Sequence, residues 1–170
     1  IRLFVATNSN ITVTDLILER GNANAGAAFF ISEVAHVHLI RTVVKLCEVF
    51  LYGGGAYVVD GGTLVLADST FQSNTAAKFG GGIFAETGSS VVVVSGHPQS
   101  SSALLNNVAH EFGGGIYLSG QGTRLDVHGT GTQLLVQNNT AKNRGGGVFA
   151  QSASAVVLSS GSRVDVINNV

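Results

Sequence analysis

Short runs of alternating apolar and polar residues recur along the chain, and clusters of Gly, Ser, Asn and Asp separate them. One stretch shows the pattern clearly: apolar-rich runs cover residues 56–59, 63–66 and 70–72, with Gly61-Gly62 and Asp68-Ser69 between them. Period-two alternation between turn residues predicts β-strands. We therefore expect three short strands per repeat, and no segment has a helical spacing long enough to matter.

Gly triplets mark the length of the repeat. They start at residues 53, 80, 113 and 145, which gives intervals of 27, 33 and 32 residues, and an eroded copy, Gly26-Ala27-Ala28, lies 27 residues earlier. Three strands in about 30 residues cannot enclose a core alone, whereas stacked coils about 4.8 Å apart can. The central glycines are Gly54, Gly81, Gly114 and Gly146.

This spacing predicts an all-β fold, a right-handed parallel β-helix of five to six coils with 27 to 33 residues in each coil. Residues 1–170 form a single segment of it. Because the chain contains no methionine, we expect it to be part of a longer solenoid. The glycines suit a tight corner at which a side chain would collide with the neighbouring coil.

An asparagine column accompanies the triplets. An asparagine lies six residues before three of them, and another lies in the partial copy at the end of the chain: Asn74, Asn107, Asn139 and Asn169. Arg20 and Cys47 take this place in the first two repeats. We expect these amides to cap backbone groups at a turn and to hydrogen-bond to one another along the axis.

An aromatic residue follows each triplet after one apolar residue, in the order Phe30, Tyr57, Phe84, Tyr117 and Phe149. The residues two positions later are mostly polar, and strand residues two apart share a face. The aromatic side chains are therefore predicted to point outward. Such a ladder would offer a surface to a partner, to a neighbouring copy or to sugar rings. The alternative is that other parts of the same chain cover it.

The composition argues against several classes of function and of site. Charged residues make up 11 % of the chain and the net charge is −1, with no basic stripe, so nucleic-acid binding is not expected. The single Cys47 excludes an internal disulfide framework and a cysteine-based metal site, and we expect it to be buried. No apolar run reaches the ~18 residues of a membrane span, so direct membrane insertion of this segment is not expected. No cofactor is predicted.

One row of polar side chains resembles a catalytic group. Arg124, Asp126 and His128 alternate along one predicted strand and face outward. Glycan cleavage by acid/base chemistry needs two carboxyl groups about 5–10 Å apart, and only Asp165, on a later strand, could supply the second. A solvated polar face is the preferred interpretation.

Two further groups of residues bear on metal binding and modification. His36 and His38 lack an evident third ligand, so no metal site is predicted. Asn10 and Asn138 begin glycosylation sequons, which matter only in a secreted eukaryotic protein. Because Asn138 lies beside the asparagine column, we expect little room for a glycan there.

The paired motifs resemble those of a known family. Residues 71–74, Phe-Gln-Ser-Asn, followed by residues 80–84, Gly-Gly-Gly-Ile-Phe, are similar to the Phe-x-x-Asn and Gly-Gly-Ala-Ile motifs of the chlamydial polymorphic membrane protein repeat. The resemblance extends from about residue 11 to the end of the chain. This chain departs from the family motifs in two ways. Where the motif has Ala, it has Gly55, Gly82, Gly115 and Gly147, and where the motif has Phe, it has Leu104 and Val136.

The resemblance implies a right-handed β-helix displayed outside the cell, in many members as the passenger of an autotransporter with adhesive function. We therefore expect a non-enzymatic structural or adhesive segment, extracellular or at a cell surface, whose partner is a protein, a glycan or neighbouring copies of itself. The alternative is a polysaccharide lyase or glycoside hydrolase of the pectin-lyase-like type that uses Arg124, Asp126 and His128. A walled groove with aligned carboxylates would favour the enzyme.

Overall fold

The computed structural model describes residues 1–97, 101–159 and 161–170, and the regular structure in these ranges is entirely β-strand. The strands stack in four parallel sheets, which we name A to D. Sheet A contains β1 (Phe4–Thr7), β5 (Phe29–Ser32), β9 (Ala56–Val58), β13 (Ile83–Glu86), β17 (Ile116–Ser119) and β21 (Val148–Gln151). Sheet B contains β2 (Asn10–Thr14), β6 (His36–Ile40), β10 (Thr63–Ala67), β14 (Ser90–Val94), β18 (Arg124–Val127) and β22 (Ala155–Leu158).

The other two sheets complete the circuit. Sheet C contains β3 (Ile17–Glu19), β7 (Val43–Lys45), β11 (Thr70–Gln72), β15 (Ser101–Leu105), β19 (Gln133–Gln137) and β23 (Arg163–Ile167). Sheet D contains β4 (Asn22–Ala25), β8 (Glu48–Tyr52), β12 (Thr75–Ala76), β16 (Val108–Ala109) and β20 (Thr140–Ala141). The chain visits sheets A, B, C and D in turn, and one such circuit is a coil.

The described residues form six coils, the last of which ends in sheet C. Each strand pairs in parallel with its equivalent in the next coil; Ile83, for example, lies between Ala56 and Ile116. The predicted all-β parallel β-helix is therefore confirmed. The number of strands per coil was wrong, because each complete coil has four. In coils three to five the sheet D strand is two residues long, too short for alternation to be visible in the sequence.

The core is one continuous apolar column inside the four sheets. Alternate strand residues point into it, and these include Ile83, Ala85, Leu64 and Phe71, all of which are inaccessible to solvent or nearly so. Residues between them face outward, as the pleat of a strand requires.

Each glycine of a triplet meets a different requirement at the corner between sheets D and A. The first has a left-handed backbone, with φ of +64° at Gly80. A Cβ on the second, Gly81, would lie 2.5 Å from the carbonyl oxygen of Gly114 in the next coil. A Cβ on the third, Gly82, would lie 2.6 Å from the Gly115 carbonyl oxygen and 3.2 Å from the Asn107 amide. This is the corner crowding that the triplets predicted.

The asparagine column forms a buried ladder along the axis. The backbone N–H and the Nδ2 of Asn107 both donate to Oδ1 of Asn139, at 2.9 Å each. Nδ2 of Asn107 also donates to the carbonyl oxygen of Phe71 in the preceding coil, at 3.0 Å. Asn74 repeats this arrangement on Asn107, and Asn139 repeats it on Asn169. The axial amide bonding predicted from the sequence is therefore present.

The first two coils lack this amide. Cys47 is buried at the ladder position and its N–H donates to Oδ1 of Asn74. Burial raises the pKa of its thiol. Strand pairing on either side places Gly21 opposite Cys47, so Gly21 takes the ladder position in coil one, and the assignment of Arg20 to it was wrong. The reason is a register shift between Ala23 and Ala25, which makes β4 one residue shorter than β8.

Replacing Asn107 by Ala should lower the free energy of unfolding by about 3 kcal/mol, because the buried N–H and Nδ2 of Asn74 lose their acceptor. Chemical denaturation of the full chain measures this. Asn106→Gly is the matched control: Asn106 is exposed with φ of +55°, so its replacement should change stability by less than about 0.5 kcal/mol. Equal effects of the two changes would contradict the ladder's role.

Replacing Gly81 by Ala should lower the free energy of unfolding by about 3 kcal/mol or more, because the new Cβ collides with backbone of the next coil. Gly88→Ala is the control, since a Cβ there meets nothing within 4 Å and only its φ of +73° is unfavourable. We expect that change to lower the free energy of unfolding by about 1 kcal/mol. A Gly81→Ala protein as stable as Gly88→Ala would show that the coils do not approach this closely.

Candidate functional site

The five predicted aromatic residues form one continuous column on the outside of sheet A. Successive ring centroids are 5.5, 5.3, 4.9 and 5.4 Å apart, in the order Phe30, Tyr57, Phe84, Tyr117 and Phe149. The neighbours Ile83, Ala85, Ile116 and Leu118 point into the core. The predicted outward direction of the aromatic side chains is therefore correct. We call these five residues the inner column.

A second aromatic column covers the inner one. Tyr52, Phe79 and Phe112 each come directly before a Gly triplet and pair with one another across successive coils. Their centroids are 5.4 and 5.5 Å apart. Phe79 also stacks on Tyr117, at 5.0 Å with planes 14° apart. We call these three residues the outer column.

The inner column is consequently not an open ladder along its length. Phe84 and Tyr117 are each only 3 % exposed although they point away from the core. The expectation of an exposed ladder is wrong for these two residues, because the outer column lies over them. Phe30, Tyr57 and Phe149 remain half-buried, as do the three outer rings. The accessible surface therefore combines residues of both columns.

Most of the rings share their faces with other rings. The pairs Tyr52–Phe79, Tyr57–Phe84 and Phe112–Phe149 have interplanar angles of 12°, 16° and 18° at centroid separations of 5.1 to 5.4 Å. At the start of the inner column the guanidinium of Arg2 lies 4.7 Å from the centroid of Phe30. Rings stacked in this way present mainly their edges to the side of the rod.

The tyrosine hydroxyls are bonded to the following coil. The Tyr57 hydroxyl donates to Oε1 of Glu86, and Nε2 of Gln151 donates to the Tyr117 hydroxyl oxygen. Burial, followed by the bond to Glu86, raises the pKa of Tyr57 well above its usual value. Burial also raises the pKa of Tyr117. The column is thus held both by ring stacking and by polar bonds between coils.

The row of Arg124, Asp126 and His128 lies on the outside of sheet B, with His128 just beyond the end of β18. Nε of Arg124 is 2.7 Å from Oδ2 of Asp126, which forms an ion pair within the row. The residues next to Asp126 in the adjacent coils are Val92 and Val157.

Asp165 does not join this row. It lies in sheet C, where it pairs with Arg163 at 2.7 Å. The structure therefore places the two aspartates on different sheets, each with its own arginine. In the part of the chain that the structure describes, no cavity is found.

The histidines and sequons occupy exterior positions. His36 is exposed and His38 half-buried on β6, and within residues 1–97, 101–159 and 161–170 no cluster of three or more His, Cys, Asp or Glu could hold a metal ion. Asn10 is exposed at the start of β2. Asn138 is exposed too, which corrects the expectation that the ladder crowds it, because the turn directs Asn138 outward and Asn139 inward.

Sequence reasoning missed the outer column. Its signal was the aromatic residue directly before three of the four complete triplets, where the fourth has Arg144. No strand pattern identifies these positions, because Tyr52 is the last residue of β8 and the other two lie in isolated bridges beside the corner. No helix in the described ranges is long and apolar enough to cross a membrane.

Replacing Tyr57 by Phe should reduce the loss of stability at high pH. The raised pKa keeps Tyr57 protonated in the folded state, so its contribution is complete below about pH 10, where the unfolded tyrosine begins to ionise, and falls as pH rises further. Denaturation at a series of pH values measures the difference from the unmodified chain. A Tyr57→Phe protein with an unchanged pH profile above about pH 10 would contradict this prediction.

Comparison with known proteins agrees with this architecture. The family described as "Right handed beta helix region" matches residues 2–170, nearly the whole chain. No curated protein and no solved structure gives a significant match. The parallel coils, the buried ladder and the family match together show that this chain belongs to the right-handed β-helix family.

Proposed function

We propose that the chain is a non-enzymatic structural segment of an extracellular or cell-surface protein, and that the two aromatic columns form its partner-binding surface. The observation that carries the proposal is the pair of aromatic columns, which runs without a break along one side of the rod from Phe30 to Phe149. A surface that repeats once per coil can hold an extended partner along several coils.

A stiff rod suits a structural role. Every coil is joined to the next by parallel strand pairing, and from Asn74 onward also by the buried amides. Both kinds of bond run along the axis, so bending the rod would stretch them. The resemblance of residues 71–74 and 80–84 to the polymorphic membrane protein repeat supports a place outside the cell and an adhesive role.

Ring geometry favours a protein partner over a sugar. Sugars bind to aromatic side chains through the ring face, and here the faces are mostly shared between neighbouring rings. Edges and half-buried apolar surface are suited to packing against the side chains of a protein. Phe50, Leu51 and Lys78 lie beside the outer column and extend this surface.

One observation favours the enzyme alternative, a pectin-lyase-like glycan-cleaving protein. The Arg124–Asp126 pair on an outer face of the solenoid provides an arginine and a carboxylate together. Against it, Asp126 has valine on both sides along the axis, and its nearest candidate partner carboxylate is in another sheet. We therefore give the structural role priority.

Phe79→Arg should weaken partner binding at least about tenfold, since it puts a charge in the middle of the outer column. Arg144 occupies the same position in coil five, so the fold accepts arginine there. The measurement is binding of the labelled full chain to arrays of immobilised extracellular-matrix proteins and glycans. Val65→Asp is the matched control, because it adds a charge at the position of sheet B that Asp126 occupies in coil five, and it should bind normally.

The unmodified chain and two variants of the polar row on sheet B test the enzyme alternative. The unmodified chain incubated with polygalacturonate, with and without calcium, should release no new reducing ends or unsaturated products. Asp126→Ala and His128→Ala should leave array binding unchanged. Product release that disappears in Asp126→Ala would overturn the non-enzymatic proposal, and equal loss of binding in Phe79→Arg and Val65→Asp would overturn the assigned surface.

A further inference from the structure

Three basic side chains beside the outer column lack an acidic partner. Of the nine lysines and arginines in the chain, five lie within 4.0 Å of a carboxylate: Arg20, Arg41, Lys45, Arg124 and Arg163. Another, Arg2, donates to the carbonyl oxygens of Ala25 and Gly26 and lies over Phe30. The rest form no ion pair with any residue that the structure describes: Lys78, Lys142 and Arg144.

These three cations border the outer column in coils three and five. Lys78 is half-buried and directly precedes the middle ring of that column. Arg144 pairs with Phe112 across coils, so it takes the outer-column position in coil five. Lys142 lies two residues before Arg144, and both side chains are exposed. Unpaired positive charge therefore lies along the sheet D side of the aromatic surface and nowhere else on the described rod.

One carboxylate lies among these cations. Glu111 directly precedes Phe112, is half-buried, and forms no ion pair with any described residue. Along the axis it lies between Lys78 and Asn143, to which its carbonyl oxygen is hydrogen-bonded. Glu111 can balance one of the three positive charges, so this side of the surface keeps an excess of positive charge in coils three to five.

The opposite side of the aromatic surface carries carboxylates. Glu86 accepts a hydrogen bond from the Tyr57 hydroxyl. Besides burial and that bond, the Asp60 carboxylate raises the pKa of Tyr57, so Asp60 also lies near this ring. Both acids lie toward the corner between sheets A and B. This charge pattern attracts the carboxylates of a partner toward sheet D and repels them from the other side.

We infer that the partner of the aromatic surface is an acidic, extended segment of another protein. Its apolar side chains pack against the rings, and its carboxylates bind Lys78, Lys142 and Arg144 through charge-assisted hydrogen bonds. The inference rests on the proposed function, since it names the partner of the same surface. Lys78 and Arg144 are two coils apart, about 10 Å along the axis, a distance that about three residues of an extended segment span.

The test is fluorescence anisotropy with labelled peptides and the full chain. The acidic probe is a short peptide of repeated Phe-Glu-Ser units, and the neutral probe has Gln in place of every Glu. The acidic probe should bind at least about tenfold more tightly than the neutral one, and the difference should shrink at high salt because exposed charges are screened.

Removal of the unpaired cations tests their role. The double variant Lys142→Gln with Arg144→Gln should weaken binding of the acidic probe at least about tenfold and leave the neutral probe unaffected. Arg124→Gln with Arg163→Gln is the matched control, because it removes the same charge from arginines on sheets B and C that are already ion-paired. It should bind both probes normally.

Glu111→Gln should have the opposite effect. It removes the one carboxylate among the cations, so the acidic probe should bind at least about threefold more tightly. Damage to the fold would not produce such a gain, and circular dichroism checks that each variant is folded. An acidic probe that binds no better than the neutral one, or weaker binding to Glu111→Gln, would overturn the inference.

Phe79→Gln separates the inference from the proposed function, because it removes a ring of the outer column without changing the charge. It should weaken binding of both probes. Matrix-protein binding that depends on Phe79 but not on Lys142 and Arg144 would overturn the acidic partner and leave the aromatic surface in place. Heparin binding that requires the two cations, without binding of the acidic probe, would also overturn it, since the ligand would then be an anionic glycan.

Discussion

Equivalent residues of successive coils are held at a single axial spacing, and the rest of the structure depends on this constraint. Strand pairing fixes the spacing along the sheets, and the buried amides of Asn74, Asn107, Asn139 and Asn169 fix it at the corner between sheets C and D. The Gly triplets allow the coils to come this close at the next corner. A side chain there would separate the coils and break the amide bonds, so the two columns are physically coupled.

Because the spacing is constant, any residue type that recurs once per coil becomes a continuous column. This is how isolated aromatic residues, spread over more than a hundred positions, become a packed array with centroids about 5 Å apart.

Family membership fixes the architecture and leaves the chemistry to the outward columns. On the outside of sheet B the column that contains Asp126 is otherwise valine in the adjacent coils, so the carboxylate stays single. On the outside of sheet A the column is aromatic from coil two onward. These two columns share one scaffold, and they differ in the side chains that stand on it. This is why the proposed function rests on the exterior.

The sequence by itself determined the period, the parallel stacking, the inward and outward faces of the strands and the asparagine ladder, because each of these follows from a local pattern repeated at a fixed interval. It did not determine the fourth strand, which is too short to show alternation, or the place of Gly21 in the ladder, which depends on a one-residue shift in β4. Only the tertiary structure decided that Phe84 and Tyr117 are covered. The rings that cover them, Phe79 and Phe112, lie on the other side of the corner between sheets D and A, and Phe79 covers Tyr117 from two coils earlier. Burial of an outward side chain is a property of neighbouring coils, and no single repeat contains that information.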